Sequence, residues 1–230
     1  MRRCPECLKW YNNDQARCPV CSIELEKNEY SSEDADDGIF SSGHYDVPRE
    51  ATRCFMGIDI GRNGGTSVLL DGSSVELKMP TIIVKKTNKK KINIPALVDR
   101  LFHAAEECSK YNLELHYIYE KTSSMPHEGV TSAFAFGYSS GGIAYTLRAI
   151  ERLYPDIVRI HETAPAVWKR HFGLVDSEAS KYQKKLASVK YANKNLNKKF
   201  KNTDDGLADA MLMAHYAQYI VEEMENIETD

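Results

Sequence analysis

The stretch from residue 55 to 70 restricts the fold most. Two apolar runs, Phe55-Met56-Gly57-Ile58-Asp59-Ile60 and Thr66-Ser67-Val68-Leu69-Leu70, flank the turn Gly61-Arg62-Asn63-Gly64-Gly65. Runs rich in Ile, Val and Leu on either side of a glycine-rich turn predict a β-hairpin from the middle of a buried sheet. Asp59 stands inside the first run. A carboxylate in an apolar strand is costly unless a cation or hydrogen-bond donors satisfy it. It is either a strand-end Asp hydrogen-bonded to the glycine turn or a metal ligand, and the other carboxylates of the chain must decide.

The chain has 230 residues, enough for one domain of ordinary size and a small appendage. No apolar run approaches the length needed to span a bilayer, and Met1-Arg2-Arg3-Cys4 leads into a cysteine motif rather than into the apolar stretch of a signal peptide. A cytoplasmic location is therefore expected. The formal net charge of −3 averages an acidic N-terminal third against lysine-rich segments further on.

Cys4-Pro5-Glu6-Cys7 and Cys18-Pro19-Val20-Cys21 are two Cys-Pro-x-Cys turns, ten residues apart. Each turn aims two thiolates at one point, and together they complete the tetrahedral sulfur cage that Zn²⁺ prefers. Two disulfides are the alternative, but they need an oxidising compartment. Residues 1–25 are thus expected to form a zinc ribbon around one structural ion, which would supply on the order of 10 kcal/mol toward folding a segment too short to bury a core. Lys9, Trp10, Tyr11 and Arg17 either present a contact surface there or, for Trp10, cover the metal. Residues 26–52, with Ser31-Ser32-Glu33-Asp34-Ala35-Asp36-Asp37-Gly38, read as an acidic flexible linker, and residues 53–230 as the main domain.

Within that domain residues 74–84 read as a third strand, followed by the basic loop Lys85-Lys86-Thr87-Asn88-Lys89-Lys90-Lys91. Such a loop is either merely solvated or, beside an active site, a phosphate-binding one. Pro95, Leu97, Leu101, Ala105 and Cys108 predict a helix to about Asn112; Cys54 and Cys108 read as small core residues. Leu115 to Glu120 alternates as a strand and ends on a carboxylate followed by Lys121. A helix rich in small residues follows from Val130 to Tyr154, where Gly137, Gly141 and Gly142 suggest close packing against a neighbour. Residues 156–161 form the last strand, Pro165 starts a helix with Trp168, Lys169 and Arg170, and residues 176–201 read as a lysine-rich helix with Lys181, Lys184 and Lys185 on one face. The final helix, about Gly206 to Glu225, is apolar nearly all round, yet contains Asp209, with Asp205 one turn earlier. Asp204 suits the helix cap; capping does not explain Asp209.

Carboxylates thus fall on the first strand, the fourth strand and the last helix. In a mixed sheet whose first and fourth strands are neighbours, Asp59 and Glu120 converge, and the last helix lays Asp205 and Asp209 across them. Clustered carboxylates repel unless cations neutralise them, and oxygen-only ligands favour Mg²⁺ or Mn²⁺. Two such ions ~4 Å apart support phosphodiester hydrolysis.

These features resemble the RuvC-like Holliday junction resolvases of the ribonuclease H superfamily, and within them the bacteriophage-encoded branch. The resemblance rests on Gly57-Ile58-Asp59-Ile60-Gly61, on Tyr119-Glu120-Lys121 followed by Met125-Pro126 and Gly129-Val130-Thr131-Ser132, on Pro165-Ala166-Val167-Trp168-Lys169, and on Asp205-Gly206-Leu207-Ala208-Asp209-Ala210. It implies an α/β fold with a mixed five-stranded sheet flanked by helices, and a homodimer that nicks four-way or otherwise branched DNA, leaving 5′-phosphate and 3′-hydroxyl ends. It implies two Mg²⁺ ions held by Asp59, Glu120, Asp205 and Asp209, and DNA-backbone contacts from Lys121, Lys169, Lys181 and Lys185. A phage-encoded chain would work in the bacterial host's cytoplasm. Two departures from the family pattern stand out. The bacterial enzymes space the last two acidic positions three apart, where this chain has Gly206, and the zinc segment is an addition, suited to guiding the nuclease to a DNA structure or to a replication or packaging protein. Met125, in the loop after Glu120, either packs within that loop, the favoured reading, or serves as an apolar wedge at a branch point. Two other readings begin from the same residues. One is a non-catalytic zinc-ribbon adaptor that binds nucleic acid on the same scaffold. The other is an ATP-binding enzyme of the actin and sugar-kinase type, suggested by Asp59-Ile60-Gly61 and the following glycines, though one lobe is short for it.

Overall fold

The computed structural model describes residues 2–3, 10–11, 26–27, 51–84, 89–121 and 129–228. The chain divides into two compact units, Met1–Asp36 and Asp37–Asp230. In the first, β1 (Arg2–Arg3) pairs antiparallel with both β2 (Trp10–Tyr11) and β3 (Glu26–Lys27). Residues 26 and 27, which begin the stretch read as linker, are therefore strand. Cys4, Cys7, Cys18 and Cys21 lie outside the described residues, as do the acidic run 31–38 and Met125.

The second unit is built on a mixed five-stranded sheet of order β10-β9-β4-β5-β6. β4 (Arg53–Asp59), β5 (Gly65–Leu70) and β6 (Ser73–Lys78) form an antiparallel meander, while β9 (Glu114–Glu120) and β10 (Val158–Thr163) run parallel to β4. This is the mixed α/β sheet expected of a ribonuclease H-like domain, with its first and fourth strands adjacent. The strands alternate between two cores, as a period of two requires. Cys54, Met56 and Ile58 of β4 and Leu115, Tyr117 and Tyr119 of β9 face one layer, with α1 (Ile94–Lys110) and α2 (Val130–Leu153). Phe55 and Ile118 face the other, with Trp168 of α3 (Pro165–His171), Val189 and Ala192 of α4 (Lys181–Asn195), and the apolar run of α5 (Asp205–Glu228). Cys54 and Cys108 are fully buried in the first core. Among the described residues no helix is long and apolar enough to cross a membrane.

Two expectations are corrected. The third strand stops at Lys78 instead of reaching residue 84, because Pro80 has no N–H to give a ladder; Met79 N–H instead donates to Gly64 O, and Pro80 O accepts from Asn93 N. Beyond that break β7 (Thr81–Val84) pairs with β8 (Lys89–Ile92) as a separate ribbon, so Lys89, Lys90 and Lys91 belong to a strand rather than a loop. The lysine-rich helix is also shorter than 176–201. Ser180 and Gln183 form a capping box at its start, and the left-handed Asn197, at φ 51°, follows its last turn.

Candidate active site

β4 and β9 both end on acidic residues, and their parallel register pairs Ile58 with Tyr119, which brings Asp59 and Glu120 side by side at one edge of the sheet. α5 reaches that edge because glycines let it. A Cβ on Gly57 would stand 1.9 Å from Ala210 O, so the helix backbone lies directly on β4. At its first turn, a Cβ on Gly206 would stand 2.4 Å from Asn63 O and 2.6 Å from Asp59 Oδ2. The helix start is thus pressed onto the β4–β5 turn and the Asp59 carboxylate, and Asp209 follows one turn on. Close packing also accounts for glycine at position 206: a carboxylate placed there would overlap Asp59.

Asp59, Glu120 and Asp209 act on one another electrostatically. Burial, then Asp209 and Glu120, push the Asp59 carboxyl from 3.8 up to about 7, against the Gly61 N–H that donates to Oδ1 at 3.2 Å and the Lys169 ammonium. Burial likewise raises Glu120, opposed by Lys169 and by the indole N–H of Trp168, which donates to Oε1 at 3.0 Å. Burial also raises Asp209, opposed by Lys169 and a hydrogen bond from Ser188, while Asp205 adds to the rise. Burial is the largest cause of each shift; repulsion between the acids adds to it, and Lys169 opposes it.

Lys169 supplies the cation that is present, 3.3 Å from Asp209 Oδ2 and 4.9 Å from the centre of the Trp168 ring. Asp205 turns toward Lys185, 3.2 Å away, and so belongs to the rim. Two of the lysines expected on a nucleic-acid backbone, Lys169 and Lys185, are therefore engaged by carboxylates. Lys121 and Lys181 are exposed. Asp204 precedes α5, and its Oδ2 accepts from Lys201 N–H at 2.9 Å. Sequence reasoning assigned no part to Trp168 or Ser188. Trp168 stood in the Pro165–Lys169 segment without a role of its own, because an indole N–H aimed at a carboxylate 48 residues away leaves no spacing to detect.

The donors are hard oxygens with an excess of negative charge, which suits Mg²⁺ or Mn²⁺. In the arrangement seen, no three His, Cys, Asp or Glu side chains among the described residues stand close enough to hold one ion. The carboxylates are assembled around Lys169 rather than closed on a common point.

No family model and no curated protein matches the chain. Among solved structures it is similar to Thermus thermophilus RuvC (16% identity over 72% of this chain and 96% of that one, TM-score 0.39) and to T. thermophilus RuvC in complex with Holliday junction substrate (16% identity over 73% and 96%, TM-score 0.39). It is also similar to the yeast mitochondrial Holliday junction resolvase Ydc2, at 14% identity over 83% of this chain and 88% of that one, TM-score 0.36. At these identities and TM-scores none of the three bears on what this chain does.

Proposed function

We propose that the chain is a structure-selective DNA endonuclease that nicks four-way junctions or other branched DNA, leaving 5′-phosphate and 3′-hydroxyl ends. The observation that carries this reading is the gathering of Asp59, Glu120 and Asp209, from two strands and a helix far apart in sequence, into one half-buried patch around Lys169. Asp59, Glu120 and Asp209 would hold Mg²⁺, with Asp205 beside them. Bound there, the metal would supply an activated water and neutralise charge on the phosphate and the leaving oxygen. The chain's own residues prepare the place. Gly61 N–H fixes one oxygen of Asp59, the Trp168 indole orients Glu120, and Lys169 balances Asp209 until another cation takes over.

The enzyme is proposed to act as a homodimer, and α2 supports this. Val130, Phe134, Tyr138 and Tyr145 are exposed along one stripe of it, and a Cβ on Gly137 or Gly142 would meet nothing within 4 Å. The small residues of α2 therefore leave room on its outer surface, and an exposed apolar stripe of this kind marks an interface. Residues 1–25 are proposed to hold one Zn²⁺ through Cys4, Cys7, Cys18 and Cys21 and to guide the nuclease to DNA or to a replication or packaging protein; the support is the cysteine spacing. Deleting them without change in DNA affinity or substrate preference would rule out the DNA-guiding role.

The test is Mg²⁺-dependent cleavage of an immobile four-way junction beside linear duplex, a flap and single strand, with Asp59→Asn as comparison. Paired nicks in the junction that fall roughly a thousandfold or more in the variant are the expected result. Equal cutting of flaps or forks would keep the site and widen the substrate. One observation favours a second reading, a non-catalytic nucleic-acid adaptor: Lys169 already pairs with Asp209 and no three described ligands surround a common point. Tight binding without cleavage in Mg²⁺ or Mn²⁺ would select it.

A further inference from the structure

We propose that the β7–β8 ribbon is a groove-binding arm that lies in a duplex branch of the substrate next to the strand being cut. This rests on the nucleic-acid reading above and deepens it by assigning the contact to one element.

The ribbon is a two-stranded sheet that pairs with no other described strand. Its base is fastened to the domain: Asn93 N–H donates to Pro80 O, and Ile92 packs against the first core. Further out it has little cover, with Ile82 39% and Ile83 60% exposed although neighbouring residues point to opposite faces. Solvent therefore reaches both faces. Ile82 lies opposite Lys91 and Ile83 opposite Lys90, so each face offers one aliphatic side chain and one lysine, and both lysines are exposed. A two-stranded ribbon gains little stability alone, and among the described residues no hydrogen bond or ion pair uses the Lys90 and Lys91 side chains.

Its position points to the ligand. Arg62, which follows Asp59 by three residues in the β4–β5 turn, donates from Nη1 to Lys90 O at 3.4 Å. The ribbon is thus tied to the turn that carries the candidate active site. A phosphodiester delivered to Asp59 brings its flanking duplex within reach of that turn. A two-stranded ribbon fits a major groove about 12 Å wide, and lysines on opposite faces then meet the phosphates on both walls. The aliphatic residues on either face would contact base edges, such as a thymine methyl. A flat acidic surface would engage only one of the two lysines.

The experiment measures binding of the full-length protein to a four-way junction across a salt series, in Ca²⁺ to prevent cutting. It compares the parent with Lys90→Ala/Lys91→Ala, with Ile83→Asp, and with Lys110→Ala/Arg152→Ala, which removes two charges from the ends of α1 and α2 instead. The ribbon double variant should bind about tenfold more weakly, and its slope of log K against log salt should be smaller by about 2, one released counterion per lysine. Ile83→Asp should weaken binding with an unchanged melting temperature, since the side chain is exposed. The Lys110/Arg152 control should match the parent. Ribbon variants with the parent's affinity and slope, or with losses no larger than the control's, overturn the ribbon assignment alone. A parent that binds neither junction nor duplex overturns the nucleic-acid reading itself.

Discussion

At the end of the sheet where β4 and β9 begin, Arg53 and Arg159 face Glu114 and Glu225; at the end where they finish, Asp59, Glu120, Asp209 and Asp205 face Lys169 and Lys185. The first group is balanced. Arg53 donates to Glu225 at 2.8 Å and lies 3.6 Å from Glu114, while Arg159 lies 3.1 Å from Glu114. The nearby imidazoles add no charge at neutral pH, because burial lowers His116 and also His161, the latter to about 4. The second group carries twice as many carboxylates as ammoniums, and burial, the largest cause in each case, pushes its three inner acids upward. Balanced ion pairs at a rim hold chain segments together. An unbalanced, half-buried cluster destabilises the fold and is retained for what it binds.

That contrast can be broken most severely at Gly206. Gly206→Ala puts a methyl group against Asn63 O and Asp59 Oδ2, so the helix must lift from the turn. We expect a loss of about 2–3 kcal/mol in urea unfolding and at least a hundredfold drop in cleavage, as overpacking at a rigid contact predicts.

Trp168→Phe tests how the unbalanced end is organised. It removes the N–H that holds Glu120 while keeping an aromatic ring, and should raise the half-saturating Mg²⁺ concentration about tenfold. Mn²⁺ quenching of Trp168 fluorescence, measured in a Trp10→Phe background, checks the same site without turnover and should vanish in Asp59→Asn/Asp209→Asn.

Asp59→Asn should stabilise the metal-free protein at neutral pH by about 1–2 kcal/mol. The native Asp59 carboxyl titrates near 7 and the unfolded one near 3.8, so between those values the native state holds a proton that the unfolded state lacks, and parental stability falls as pH rises. The advantage of the variant should therefore grow from pH 4 to pH 7, as read by paired urea melts. A constant difference across that range would mean that Asp59 is not strained by its neighbours.

The smallest effect belongs to the balanced end. Arg53→Met should leave cleavage unchanged and move the melting temperature by no more than about 3 °C, because the pair with Glu225 is largely solvated. A large loss of activity there would erase the distinction between the two ends.

Much of this site was readable along the chain. Asp59 and Asp209 stand inside apolar segments and Glu120 closes one, and a carboxylate in that setting advertises itself because burial without a partner is so costly. The hairpin around Gly61–Gly65, the start of α1 near Pro95, and the buried run of α5 follow from turn chemistry and periodicity, which are local. What failed was also local in origin. The lysine run 85–91 looked like a loop because charge dominates its composition, yet Lys89, Lys90 and Lys91 pair with Val84, Ile83 and Ile82. The helix expected over 176–201 was overextended because lysines favour helix without marking its ends, whereas Ser180 does mark one.

By itself the sequence determined which segments are buried, the order of most strands and helices of the main domain, and which acids stand in apolar surroundings, since these depend on neighbours within a few residues. Only the tertiary structure decided that β4 and β9 lie side by side, that glycines 57 and 206 allow α5 to touch them, and that Trp168 and Lys169 rather than any nearer residues attend the carboxylates. It also decided that Asp205 faces Lys185 at the rim and that the basic segment is a ribbon tied through Arg62 to the β4–β5 turn beside the candidate site. These are distances between residues tens to more than a hundred positions apart, and they arise from how surfaces pack, which no local pattern encodes.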